Sequence, residues 1–147
     1  QVVSDPGEVL AVDTIAACMA HPLIGPLFRK IASEEIAPHV HSVPGMTPAN
    51  YVDLIHRRFS NPEIIDTVRR VAFDGSARHT GFILPVLRQA LAADGAIEGL
   101  ALTQAIWARM CEGTREDGTK IEPNDPMWSE LTLAAQAAPL VDAKSPM

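Results

Sequence analysis

Apolar residues recur along this chain at intervals of three and four, and the alternation of β-branched and polar residues that marks strands is absent, which predicts an all-α fold. Val9, Leu10, Ile15, Ala16 and Met19 set the first helical period, which stops at His21-Pro22 because a residue before proline resists the α region. A second helix is expected from Leu23 to about Ala37. Its stripe is Ile24, Leu27, Phe28 and Ile31, with Arg29, Lys30, Glu34 and Glu35 outside it. Pro38 to Met46 has no period and reads as a loop. Thr47-Pro48 and Asn61-Pro62 share a capping side chain followed by proline, a signature that opens helices. The first should carry Tyr51, Leu54, Ile55 and Phe59 on its apolar face, the second Ile64, Ile65, Val68 and Val71.

Asp74-Gly75-Ser76 is a turn by composition, followed by a helix from Phe82 to Ala93 that must accommodate Pro85. Ile97 to Glu112 is the most apolar stretch, with Leu100, Leu102, Ile106, Trp107 and Met110 covering more than one face, so it is expected to be the central and most buried helix. Thr114 to Asn124 reads as an exposed loop, and Asp125-Pro126 should open a last helix through Trp128, Leu131 and Leu133 to about Ala138. The sum is about seven helices.

The 147 residues make one domain's worth of chain, with 47% hydrophobic residues to bury. Twelve basic against eighteen acidic residues leave a formal charge of -6, which argues against a phosphate-backbone partner such as nucleic acid. No apolar run approaches the length of a membrane span, and no signal peptide is read at the start. Cys18 and Cys111 lie far apart inside apolar helical patterns, so they read as core residues in a reducing, cytoplasmic setting. The opening at Gln1 and the polar tail from Asp142 to Met147 suggest a piece of a longer chain.

Nucleotide loops, nucleophile elbows, zinc-protease helices and paired Cys-x-x-Cys motifs are all missing from the sequence. His39 and His41 have the spacing of two zinc ligands on an extended segment, yet nothing completes a tetrahedral set, and no metal is expected. The dense basic stretch from Arg57 to Arg78 is more informative. Arg70 and Arg78 flank the Asp74-Gly75-Ser76 turn, and two guanidinium groups there could converge on a polyoxygenated or carboxylate ligand. Spacing alone equally allows them to pair with Asp66 and Asp74 as helix-end salt bridges.

The order Arg58-Phe59-Ser60-Asn61-Pro62, Asp66-Thr67, Arg70, Asp74-Gly75-Ser76, then Leu84-Pro85 with Leu87-Arg88, resembles the C-terminal domain of the mannitol dehydrogenase family. Later blocks extend the resemblance: Ile97 to Leu102, Trp107-Ala108-Arg109, and Glu122-Pro123-Asn124-Asp125-Pro126-Met127-Trp128. Earlier ones are Ile36-Ala37-Pro38 and Val43-Pro44-Gly45-Met46. The resemblance implies an all-α domain of the 6-phosphogluconate dehydrogenase C-terminal-like type, which follows a Rossmann NAD-binding domain and closes the far side of a polyol site. It further implies metal-free hydride transfer between a sugar alcohol, or the matching ketose, and NAD or NADP.

The family's catalytic Lys, Asn and His stand in a K…N-x-x-H motif that this sequence lacks, since Lys30, Lys120 and Lys144 have no Asn and His at that spacing. The resemblance places Gln1-Val2-Val3 directly after that motif and implies that the chain stops short of the family's usual end. Residues 1–147 are therefore expected to be a single substrate-side domain, inactive alone. What carries over is a substrate-contacting basic pair at Arg70 and Arg78, the second departing from the lysine frequent in the family. Polyols rank above hexuronates such as fructuronate and tagaturonate as substrates. A helical interaction module without activity is the other class the fold allows.

Overall fold

The computed structural model describes residues 1–138, and within them the chain is helical, with only isolated bridges in place of strands. Its elements are α1 (Ser4–Val9), α2 (Ile15–Ala20), α3 (Ile24–Lys30), α4 (Pro48–Phe59), α5 (Val68–Ala72), α6 (Gly75–Arg78), α7 (Leu84–Ala92), α8 (Glu98–Met110) and α9 (Trp128–Ala137). α3 runs on through a π-helical turn, Ile31–Ile36, and a 3-10 turn, Ala37–His39, while a second π turn, His79–Ile83, joins α6 to α7. Each π turn runs up to or just short of a proline, Pro38 or Pro85, whose ring would strike the carbonyl four residues back in a regular helix; the wider turn relieves that contact.

The first π turn corrects one expectation. Widening shifts the following residues around the helix axis, so Glu35 points inward and is fully buried instead of lying outside the stripe. Its two carboxylate oxygens accept the N–H groups of Gly99 and Leu100, both at 2.7 Å, and so satisfy donors that the first turn of α8 would otherwise orphan. Gly99 is required there, because a Cβ would sit 2.3 Å from Ile31 Cγ1.

The expected first helix is two helices. Ala11 takes a left-handed φ of 58°, and Thr14 starts α2 anew, its hydroxyl accepting the N–H of Ala17 at 3.1 Å. Asn61-Pro62 opens no helix. The Asn61 side chain accepts the N–H of Glu63 in a local turn, Ile65 is left 86% exposed, and α5 begins at Val68 behind its own cap, Thr67. The two threonine-capped starts lie side by side: Ile15 donates to the Asp66 carbonyl and Val68 to the Asp13 carbonyl, both at 3.0 Å. Thr47-Pro48 does open α4, although Val52, Ile55 and Phe59 face the core and Tyr51 and Leu54 do not.

α8 is not the most buried helix. Leu102 is exposed, Ile106 and Trp107 are half-buried, and only Gly99, Leu100, Thr103 and Met110 are fully inside. The centre is α1, every residue of which is buried, between α5 on one side and α8 on the other. Its polar sequence hid this, because its carboxylates are met inside by specific donors. Around it, Ile15, Ile24, Ile31, Val68 and Leu100 form the main core, and Val9, Ala72, Met110 and Ile121 a second one. The burial of Ile121 and Asn124 also corrects the view of Thr114 to Asn124 as wholly exposed.

Replacing Glu35 by Ala should leave two buried backbone N–H groups without acceptors and cost about 2 to 3 kcal/mol. Urea unfolding of the variant measures this, and a loss under about 0.5 kcal/mol would mean the cap is dispensable.

Candidate functional site

The turn between α5 and α6 is built by contacts from far along the chain. Asp74 adopts a left-handed φ of 61°, and its N–H donates to the Asn124 carbonyl at 2.8 Å. The next residue must be glycine, because a Cβ on Gly75 would lie 2.5 Å from Trp107 Nε1. Asp125 then holds Ser76 twice: one carboxylate oxygen accepts the Ser76 N–H at 2.7 Å, the other its hydroxyl at 2.9 Å and the Met127 N–H at 2.9 Å. The same carboxylate thus fixes the turn before α6 and the approach to α9. Arg69 clamps the same segment from α5, donating to the carbonyls of Glu122 and Pro123, both at 2.6 Å.

Arg70 lies in the short helix α5, and its side chain is 70% exposed. Its Nε and Nη2 donate to the two carboxylate oxygens of Asp66 at 2.7 and 2.5 Å, a bidentate pair between residues four apart. Hydrogen bonding from Arg70, more than its charge, holds the Asp66 carboxyl below its ordinary range. Arg78, at the end of α6, is half-buried, and among the described residues its guanidinium has no ion-pair partner; Asp74 does not take it.

The start of the chain lies against the end of α5. Gln1 Nε2 donates to the Ala72 carbonyl, two residues after Arg70, at 3.4 Å and to Asp5 at 3.2 Å. The Gln1 backbone nitrogen is buried, close enough to Asp5 and Arg78 to feel both charges.

Beneath Arg78 lies a polar cluster that the sequence did not disclose. His79 is 1% exposed, its Nε2 is 2.7 Å from Asp5 Oδ2, its Nδ1 is 2.8 Å from Gln104 Nε2, and its ring stacks on Trp107 with centroids 4.6 Å apart. An amide N–H donating to Nδ1 leaves the ring proton on Nε2, where it is donated to Asp5. Nearby, the Asn124 side chain is buried with both of its polar atoms unpartnered. Elsewhere, an apolar recess of about 370 Å³ between α3 and α4, lined by Phe28, Ala32, Val52 and Ile55 among others, contains none of these residues.

Four of the helix N-termini among the described residues are already occupied. The hydroxyls of Thr14, Thr47 and Thr67 occupy N–H groups at the starts of α2, α4 and α5, and Glu35 occupies those of α8, so these helix ends are not free for a pyrophosphate. Among the described residues no three His, Cys, Asp or Glu side chains are placed to hold a metal ion, His39 and His41 included, and no helix is long and apolar enough to cross a membrane.

The mannitol dehydrogenase C-terminal domain family matches residues 1–143. The chain is 46% identical over 137 residues to the mannitol 2-dehydrogenase of Cereibacter sphaeroides, covering 93% of this chain and 29% of that protein. It is 32% identical over 132 residues to the mannitol 2-dehydrogenase of Pyricularia oryzae, covering 90% and 26%. Among solved structures it superposes on the Pseudomonas fluorescens mannitol 2-dehydrogenase ternary complex with NAD and D-mannitol, with a TM-score of 0.86, 26% identity, and coverage of 91% of this chain and 27% of that one. Substrate-free D-sorbitol dehydrogenase shares the fold, with a TM-score of 0.83 at 21% identity and coverage of 89% and 28%. The chain belongs to the mannitol dehydrogenase C-terminal domain family, and it spans less than a third of the length of these relatives.

Both cysteines are free and buried, as core residues should be. Burial pushes the Cys18 thiol up to about 11 and the Cys111 thiol up to about 12, the latter aided by the Asp5 and Asp125 carboxylates. A raised thiol pKa favours the protonated, unreactive form, so at pH 8 neither should react with an aromatic disulfide reagent until the protein unfolds. Two thiols labelled on mixing with the folded chain would contradict this burial.

Proposed function

We propose that this chain is the C-terminal, substrate-side part of a polyol 2-dehydrogenase of the mannitol type, which uses NAD or NADP to oxidise a secondary hydroxyl of a sugar alcohol to the ketone. The observation that carries this reading is the 46% identity, across 93% of the chain, to a mannitol 2-dehydrogenase. When bound, a nicotinamide cofactor would supply the hydride acceptor, and the family resemblance assigns both its site and the Lys, Asn and His of proton transfer to the segment that precedes this domain. No hydride or proton step is assigned to the present residues. Their work is to bind and orient.

Arg70 and Arg78 suit that work. Each guanidinium donates several hydrogen bonds in a fixed plane and carries no proton that the reaction would remove, so it can hold hydroxyls remote from the reacting carbon without entering the chemistry. Arg70 forms with Asp66 the helix-end salt bridge that its spacing allowed, and this pairing is compatible with substrate contact, since a bidentate carboxylate fixes the guanidinium's plane while leaving its remaining N–H groups outward. The Asp66 pair is intact above the ordinary carboxylate range and is lost only as the pH falls below it, because the carboxyl's pKa is lowered in the folded state. At the neutral or alkaline pH of alcohol oxidation the guanidinium therefore stays aligned. A hexuronate substrate would also suit two arginines, but the relatives named above are polyol enzymes, and polyols are the first choice.

Arg70→Ala in the full-length enzyme should lower kcat/KM for D-mannitol at least roughly tenfold, on the order of one charged hydrogen bond, with NAD affinity and melting temperature nearly unchanged. Steady-state kinetics on polyols beside fructuronate and tagaturonate check both parts. Normal kinetics with lost stability would make Arg70 a purely structural residue, and turnover of the uronates alone would reverse the choice of substrate.

A further inference from the structure

We infer that His79, held by Asp5 and Gln104, is a positioning residue that fixes Arg78 in the substrate site; this inference rests on the substrate-side reading of Arg78. α6 runs on without a break through the π turn His79–Ile83 into α7, so its helical geometry is held by that longer segment; what side chains add is a fixed position and rotation at its two ends. At its start Asp125 grips Ser76 through the N–H and the hydroxyl. Immediately after its end His79 turns inward to Asp5, at 2.7 Å, with neither side chain more than 1% exposed. Arg78 sits between these anchors. The Trp107 indole braces both ends of the element, packed against Gly75 and stacked on His79.

Stability alone does not call for such a network. Apolar side chains of similar volume fill a core at least as well as a buried polar network, whereas hydrogen bonds to fixed partners restrict a segment to one position. The partners chosen here are informative. Asp5 belongs to α1, which begins three residues after Gln1, and Gln104 belongs to α8. His79 therefore ties the arginine-bearing turn to the helix that leads in from the chain segment to which the resemblance assigns the catalytic Lys, Asn and His. A shift of Arg78 along α1 would change the distance between the group that holds the substrate and the groups that react with it, and so lower turnover without touching cofactor binding.

The test uses the full-length enzyme with D-mannitol and NAD. His79→Leu should lower kcat/KM for mannitol at least fivefold with NAD affinity unchanged, and His79→Gln, which keeps a donor directed at Asp5, should return it to within about twofold of the parent. In an enzyme already carrying Arg78→Ala, His79→Leu should cause no further loss, because its effect passes through Arg78. Parental kinetics in folded His79→Leu, or losses that multiply in the double variant, would overturn the inference. If His79→Leu does not fold, Gln104→Met removes the donor to Nδ1 at a half-buried position and is judged by the same two criteria. Arg78→Ala separates the two levels of the argument: unchanged kcat/KM there refutes the substrate-side reading of Arg78, whereas an impaired Arg78→Ala beside a normal His79→Leu refutes the positioning role alone.

Discussion

Two carboxylates on one short helix, Asp5 and Glu8, are carried into the protein interior, where each must find donors or forgo burial. Asp5 accepts from His79, Ser4 and Gln1, and Glu8 accepts from Arg115 at 2.5 Å. Arg115 in turn reaches the Lys120 carbonyl. The two carboxylates thus draw the turn after α6 and the loop before α9 onto α1 from opposite ends. Gly7 between them allows the close approach, since a Cβ there would lie 2.5 Å from Cys18 Sγ. With α1 fixed, α5 and α8 pack on either side of it, and the two apolar cores close around its ends.

The turn that carries the proposed substrate arginines is fixed in the same way, by contacts from far along the chain. Its left-handed Asp74, its obligatory Gly75 and the doubly held Ser76 are fixed by Asn124 and Asp125 from nearly fifty residues away, and Arg69 ties the same two segments together. Arg70 and Arg78 therefore project from a turn whose backbone has little freedom. Arg70 is aligned by Asp66 on the surface, while Arg78 is half-buried and carries no carboxylate among the described residues. That difference leaves the Arg78 guanidinium with its donors uncommitted among the described residues, whereas Arg70 is already held on Asp66.

Much of the fold was legible from the spacing of apolar residues and from the Thr47-Pro48 cap, and the all-α class followed from them. The resemblance located the Arg70, Asp74-Gly75-Ser76 and Arg78 set. What could not be read was polar burial. Ser4-Asp5-Pro6-Gly7-Glu8 looks like a solvated start, and only the positions of His79 and Arg115, over seventy residues away, make its burial possible. Glu35 escaped for a related reason, because hydrophobic periodicity assumes a constant turn and a π turn breaks it. Asn61-Pro62 misled because a capping pattern followed by apolar residues describes an Asx turn as well as a helix start. Thr67, six residues on, had the better claim, since its hydroxyl meets the N–H of Arg70.

Hydrogen exchange of the backbone amides in α1 tests the centre of this account. If α1 is the element on which the others pack, the amides of Glu8 and Val9 should exchange only through global unfolding, with protection equal to that of Leu100 and Thr103 in α8 and far above that of α9, which buries none of its residues fully. Exchange of α1 as rapid as that of α9, in a chain whose α8 remains protected, would show that the polar helix is a peripheral strap and that the apolar helices hold together without it.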